Sequence, residues 1–146
     1  VGSGHRVLEV GCSTGYVTEH LVAAGNTVVG VELDPDAATL AERFAAGVEQ
    51  VIAENGLPWI VQRLGCRAEY WFRAVPPRNG GEAAAAVDPL LDRYMHLAAL
   101  NRGILMTPFH NMALPSPLHT RDDVDRHTEV FAGAAALLVG ATVGEG

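Results

Sequence analysis

The first 36 residues constrain the fold more tightly than any other stretch of this 146-residue chain. Arg6 to Val10 is a short apolar run of strand character, and Gly11-Cys12-Ser13-Thr14-Gly15 follows at once. A helical stretch continues to about Ala24, Gly25-Asn26 stops it, and Thr27 to Val31 is a second strand rich in β-branched residues. Strand, glycine loop, helix and strand in that order make half of a dinucleotide-type fold. The glycines let the backbone approach a ligand closely, and the helix N-terminus offers N–H groups with no partner inside the helix. Glu32 closes the second strand about 20 residues after the loop, where an acid commonly accepts hydrogen bonds from ribose hydroxyls. Glu9, Gly11, Ser13, Gly15 and Glu32 are therefore the candidate cofactor-binding residues.

The parallel pattern then stops. Asp34 or Asp36 caps a long helix running to about Asn55, with Gly56 as its end and Leu40, Phe44, Val48, Val51 and Ile52 on one stripe. A third parallel strand is not visible after it. Trp59 to Leu64, a Gly65-Cys66 turn and Arg67 to Arg73 read instead as an antiparallel hairpin, with Val61, Leu64, Tyr70 and Phe72 as its apolar positions. The architecture changes between Leu33 and Leu40, so the fold class is α/β: a Rossmann-like strand-helix-strand start, then an α+β unit with an antiparallel sheet. The chain divides accordingly into residues 1–36 and 37–146.

The second part supplies its own stop and start signals. Pro76 to Gly81 is a loop, Glu82 to Val87 is a weakly helical or disordered approach, and Asp88-Pro89 opens a helix to Leu100. Leu91, Met95 and Ala98-Ala99 face inward on it, while Asp92, Arg93 and His96 face water. Gly103 to Thr107 then reads as a short buried strand, bent at Pro108 and followed by a loop closed by Pro115-Ser116-Pro117. Phe109, His110 and Asn111 place an imidazole and an amide on that proline-pinned loop, the kind of position from which a rigid scaffold presents function. Thr120 caps a last helix, with Asp122, Asp123 and Asp125 at its positive end and Val124, Phe131, Ala135 and Leu138 on its buried face. Gly140 is the expected stop.

Composition removes several functions. The net charge of −7 argues against nucleic acid as a partner, because phosphate binding needs clustered Lys and Arg. No apolar run approaches the roughly 20 residues that span a bilayer, which argues against a membrane helix. Cys12 and Cys66 lack metal-ligand spacing, and His96, His119 and His127 read as surface residues, so no metal site is expected. With no signal peptide ahead of the isolated thiols, a reducing cytoplasm is the expected compartment. All ten basic residues are arginine. A lysine Schiff base or a P-loop lysine is thereby excluded within these residues, and no residue is assigned as catalytic.

Two resemblances follow. VLEVGCSTGYVTEHL and VVGVELDPDA resemble the first two strands of a class I S-adenosylmethionine-dependent methyltransferase. That resemblance implies a glycine loop beneath the cofactor and Glu32 on its ribose; Ser13 stands where many members carry glycine. GCSTG also fits the G-x-S-x-G nucleophile elbow of α/β-hydrolases with Ser13 as nucleophile, but Glu32 favours a nucleotide and no triad follows.

Residues from about 38 to 140 resemble the C-terminal small domain of class III pyridoxal-phosphate (PLP) aminotransferases, nearest the glutamate-1-semialdehyde 2,1-aminomutase branch. LAERFAAGVEQVIAENGLPW, RAEYWF, PPRNGGEAAAA, LLDRYMHLAALNRGILMTPFHNMALPSP and DDVDRHTEVFAGA carry it. It implies a domain that packs on a large cofactor domain and helps close a substrate pocket, with Phe109, His110 and Asn111 on the loop that approaches it. Aminomutases tend to carry an acid where His110 stands. The family's aldimine lysine, its pyridine-nitrogen aspartate and its phosphate loop belong to the large domain. The combined reading is a chimera, inactive alone toward PLP, with S-adenosylmethionine as a possible ligand. Self-association or pairing with a large-domain partner is expected, as is the alternative of a non-catalytic interaction module.

Overall fold

The computed structural model describes residues 2–10, 16–31, 35–107, 111–116 and 118–143. Strands β1 (Arg6–Val10) and β2 (Thr27–Val31) flank helix α1 (Tyr16–Ala23) and pair in parallel, Arg6 with Thr27 through Val10 with Val31. Gly25, at φ +82°, turns the chain out of α1, and buried Asn26 locks the turn. The Asn26 side-chain oxygen accepts from the His5 N–H at 2.9 Å, and its amide donates to the Leu21 carbonyl at 3.0 Å.

Helix α2 (Pro35–Glu54) follows and ends at Gly56, whose φ of +61° suits a residue without Cβ. Strands β3 (Ile60–Leu64) and β4 (Arg67–Trp71) form the expected hairpin, with Val61 opposite Tyr70. Helix α3 (Gly80–Ala85) replaces the weakly helical approach: Asn79 caps it by accepting from the Glu82 N–H at 2.9 Å. Helix α4 (Pro89–Leu100) starts as its sequence requires, with Asp88 accepting from the Leu90 and Leu91 N–H groups, both at 3.0 Å. Strand β5 (Met112–Ala113) pairs antiparallel with β4, and helix α5 (Arg121–Val143) closes the structure.

The two sheets are separate, β1-β2 parallel and β3-β4-β5 antiparallel, a mixed α/β architecture as the sequence suggests. The core lies between α2, α5 and the inner face of β3-β4. Leu40, Phe44, Val48, Val51 and Ile52 are all buried, as their helical spacing predicts. Across from them Phe131 meets Tyr70 edge-on at 5.0 Å between ring centroids, and Trp59 meets Phe72 at 4.7 Å. Gly47 lets α2 and α5 approach: a Cβ there would stand 2.6 Å from Thr128 Oγ1. The Tyr94 hydroxyl donates to the Ala134 carbonyl at 2.8 Å and fastens α4 to α5.

Four local expectations are corrected. Gly103 to Thr107 is not a strand: Asn101–Gly103 is a turn, Gly103 sits at φ +82°, and the Ile104 N–H returns to the Ala99 carbonyl at 3.0 Å. The edges of β4 are already taken by β3 and β5, so a strand at 103–107 has no place there. Gly140 does not end α5, which runs on to Val143; a single glycine costs a helix only about 1 kcal/mol. Leu64 is 48 % exposed at the hairpin's end rather than on its apolar face. Asp92 does not simply face water: it is half-buried and bound to Asn111.

Candidate functional site

The first candidate region is the open edge of the parallel pair. Val10 and Val31 are register partners, so the chain leaves both strands side by side, the geometry on which a glycine-loop ligand site is built. Glu9 lies in β1 opposite Gly30. Gly11, Ser13, Gly15 and Glu32 lie outside the described residues.

The second region surrounds the stretch that carries Phe109, His110 and Asn111. Phe109 and His110 lie outside the described residues. Asn111 is half-buried and held twice: its side-chain amide donates to Asp92 Oδ1 at 2.9 Å, and its backbone carbonyl accepts from the Tyr70 N–H at 3.0 Å. Asn111 thus ties the loop to α4 and β4 and leads the chain into β5. Burial, with the Asp92 charge second, pushes the Tyr70 phenol well above its ordinary range and keeps it neutral.

Beside this loop a cleft of about 390 Å³ opens between residues 103–107, residues 112–115 and the first half of α5. Its apolar wall includes Phe44, Met106, Met112 and Val124; His119, Asp123 and Arg126 contribute polar wall. Those polar groups are largely held. His119 Nδ1 accepts from the Ser116 N–H at 2.9 Å, which places its proton on Nε2 in the neutral ring. Asp123 accepts from the Thr120 N–H and hydroxyl, both at 2.8 Å, closing a capping box that, together with the nearby His119, holds its carboxyl below the usual range. Arg126 donates to the Arg102 carbonyl at 3.1 Å.

The cleft's remaining titratable wall residue was misread from sequence. His127 is not on the surface but buried, 4.4 Å from the Phe44 ring between centroids and stacked at 6.0 Å on Phe131. Its Nδ1 finds no hydrogen-bond partner among the described residues, and burial alone pushes its pKa down to about 4. The signal was present: 127 stands three residues after Val124 and four before Phe131, on the buried stripe of α5. Among the described residues no group of three or more His, Cys, Asp and Glu is placed to hold a metal ion, and no helix is long and apolar enough to cross a membrane.

Comparison with known proteins finds two kinds of likeness. Residues 8–61 match the family model described as a methyltransferase domain. A glutamate-1-semialdehyde 2,1-aminomutase from Thermomicrobium roseum is 33% identical over 99 residues, 67% of this chain and 23% of that protein. The crystal structure of a glutamate-1-semialdehyde aminomutase from Pseudomonas aeruginosa superposes with a TM-score of 0.66 at 44% identity, over 68% of this chain and 22% of that one. An omega-transaminase from Sphaerobacter thermophilus gives a TM-score of 0.60 at 25% identity, over 71% of this chain and 25% of that one. The chain spans less than a quarter of the length of the aminomutases it matches. It therefore combines a methyltransferase-family segment at its N-terminus with a stretch homologous to class III aminotransferases of the glutamate-1-semialdehyde aminomutase kind over about two thirds of its length.

Proposed function

We propose that residues 37–146 act as an aminotransferase-type small domain that works only beside a large cofactor domain, and that they do not transaminate alone. The observation that carries this reading is the absence of any lysine from the 146 residues. An aldimine with PLP needs a primary amine on a side chain, and the basic side chain lining the cleft, Arg126, is a guanidinium already spent on the Arg102 carbonyl. The residues present do not fit covalently held PLP. The thiol of Cys66 is buried, and we take a reducing cytoplasm as the compartment.

The test is spectroscopic. PLP added to the purified chain is expected to keep the absorbance of the free aldehyde, and a borohydride-trapped adduct on the protein overturns the reading. A pairing function further predicts capture of an aminotransferase large domain supplied as a separate chain.

A second reading is favoured by the methyltransferase match over residues 8–61 and by the side-by-side ends of β1 and β2. In it the N-terminal segment binds S-adenosylmethionine or its product through Gly11, Gly15 and Glu32. Titration with S-adenosylhomocysteine, beside Glu32→Ala, decides it: saturable binding weakened by the substitution supports a nucleotide site, and no binding by a folded protein leaves the segment as scaffold.

A further inference from the structure

Helix α5 carries an imidazole into the apolar interior without providing it a protein partner. The pitch of α5 puts His127 on the same stripe as Val124 and Phe131, where it is 6 % exposed. Its ring lies against Phe44 and stacks on Phe131. Nδ1 is sealed there and meets no hydrogen-bond partner among the described residues. Folded chains pair nearly all of their buried polar groups, because a group taken from water and left unbonded is destabilising. Phenylalanine would fill the same stacked place without that loss. Packing alone therefore does not account for an imidazole at this position.

The same ring lines the cleft of about 390 Å³. Because Nδ1 is sealed, the edge of the ring that reaches the cleft is the one carrying Nε2. Around it stand Phe44, Met106, Met112 and Val124. Thioethers adapt to flat rings and attract them, so this wall suits an aromatic body. Asp123 and Arg126 bring opposite charges to the wall, and each is tied to protein, Asp123 to Thr120 and Arg126 to the Arg102 carbonyl. The cleft thus favours neither an anion nor a cation. Its volume falls within the range of about 300–1,000 Å³ usual for small-molecule sites.

We infer that the cleft binds a neutral aromatic alcohol, with its ring against Met106 and Met112 and its hydroxyl on Nε2 of His127. A hydroxyl both donates and accepts, so it completes His127 in either neutral tautomer. Burial keeps the imidazole uncharged near neutral pH, as such a partner requires, with its pKa down at about 4. The inference does not rest on the small-domain reading, and the borohydride test of PLP is blind to occupancy of the cleft, so either can fail alone.

Equilibrium binding of p-cresol and of toluene to the full chain tests it, because the two probes differ only in the hydroxyl. Both are expected to bind saturably, p-cresol about ten-fold more tightly, the effect of one buried hydrogen bond. The His127 Nε2 resonance is expected to shift as p-cresol saturates the protein. His127→Phe is expected to retain toluene and to erase the advantage of p-cresol. Equal affinities for the two probes in the unsubstituted chain overturn the hydroxyl contact, and no saturable binding of either overturns the site. Should the variant not fold, the unsubstituted chain still decides: an Nε2 resonance unmoved at p-cresol saturation overturns the inference.

Discussion

The N-terminal β1-α1-β2 unit and the α2–α5 helix–sheet unit are held together by different physics. In the first, Asn26 is buried at the turn and a two-stranded sheet does most of the joining. Val22 and Val29 are 52 % and 53 % exposed. Two strands alone are marginal in water; independent stability asks for a third strand or a packed face. The second unit has that face: two helices of 20 and 23 residues lie over an antiparallel sheet around an aromatic cluster. The difference teaches that a clear local motif and a stable local fold are separate properties. The glycine-loop half is the easier to recognise, and the helix–sheet half is the better packed.

The largest effect that sharpens this contrast is truncation of Phe131, which touches Tyr70, Trp59 and His127. Phe131→Ala is expected to cost about 3–5 kcal/mol in urea unfolding, whereas Val29→Ala in β2 costs less than about 0.5 kcal/mol. Comparable losses at the two positions break the comparison.

Next comes acid. His127 is held neutral in the fold, with its pKa lowered from 6.5 to about 4, so the unfolded chain takes up its proton first. Its contribution is complete above about pH 6.5 and is lost as pH falls towards 4, amounting to about 3 kcal/mol in all. Chemical denaturation between pH 7 and 4 is expected to show that slope, and His127→Phe is expected to flatten it. An unchanged slope in the variant places the acid sensitivity elsewhere.

Smaller effects test the contacts that set geometry. Gly47→Ala forces α2 and α5 apart against Thr128, an overpacking cost of about 1–3 kcal/mol that the gain in helix propensity only partly offsets. Adding Thr128→Ala removes the obstructing atoms, so a double-mutant cycle is expected to show strong coupling; additivity argues against the close approach. In the N-terminal unit, Asn26→Ala strands the His5 N–H, while the Leu21 carbonyl keeps the backbone N–H of residue 26 at 3.1 Å, and is expected to cost about 1–2 kcal/mol. Hydrogen exchange in β1 and β2 reads that loss directly, because it is local: protection is expected to fall there and to persist in β4.

Much of the fold was legible because it is written in local chemistry. Asp88-Pro89 announces the start of α4, the stripe from Leu40 to Ile52 announces the buried face of α2, and Gly65-Cys66 announces the hairpin turn. The misreadings share one cause. Ile104, Leu105 and Met106 have the composition of a strand, but a strand exists only beside a partner, and β3 and β5 occupy both edges of β4. Likewise His127 looks polar as a residue type, yet its place on the α5 stripe carries it beneath Phe44. Of the candidate site, Asn111 stands next to Met112 of the cleft wall, and its side-chain amide is committed to Asp92.

By itself the sequence determined the order of elements, the change from a parallel to an antiparallel plan and the lack of any lysine to hold a cofactor covalently. These follow from backbone propensity, periodicity and composition, which act within a few residues. Tertiary structure alone decided which edge of the small sheet is filled and which histidine is dry. Those outcomes depend on segments far apart in the chain competing for the same neighbours, and no local pattern records which of them wins.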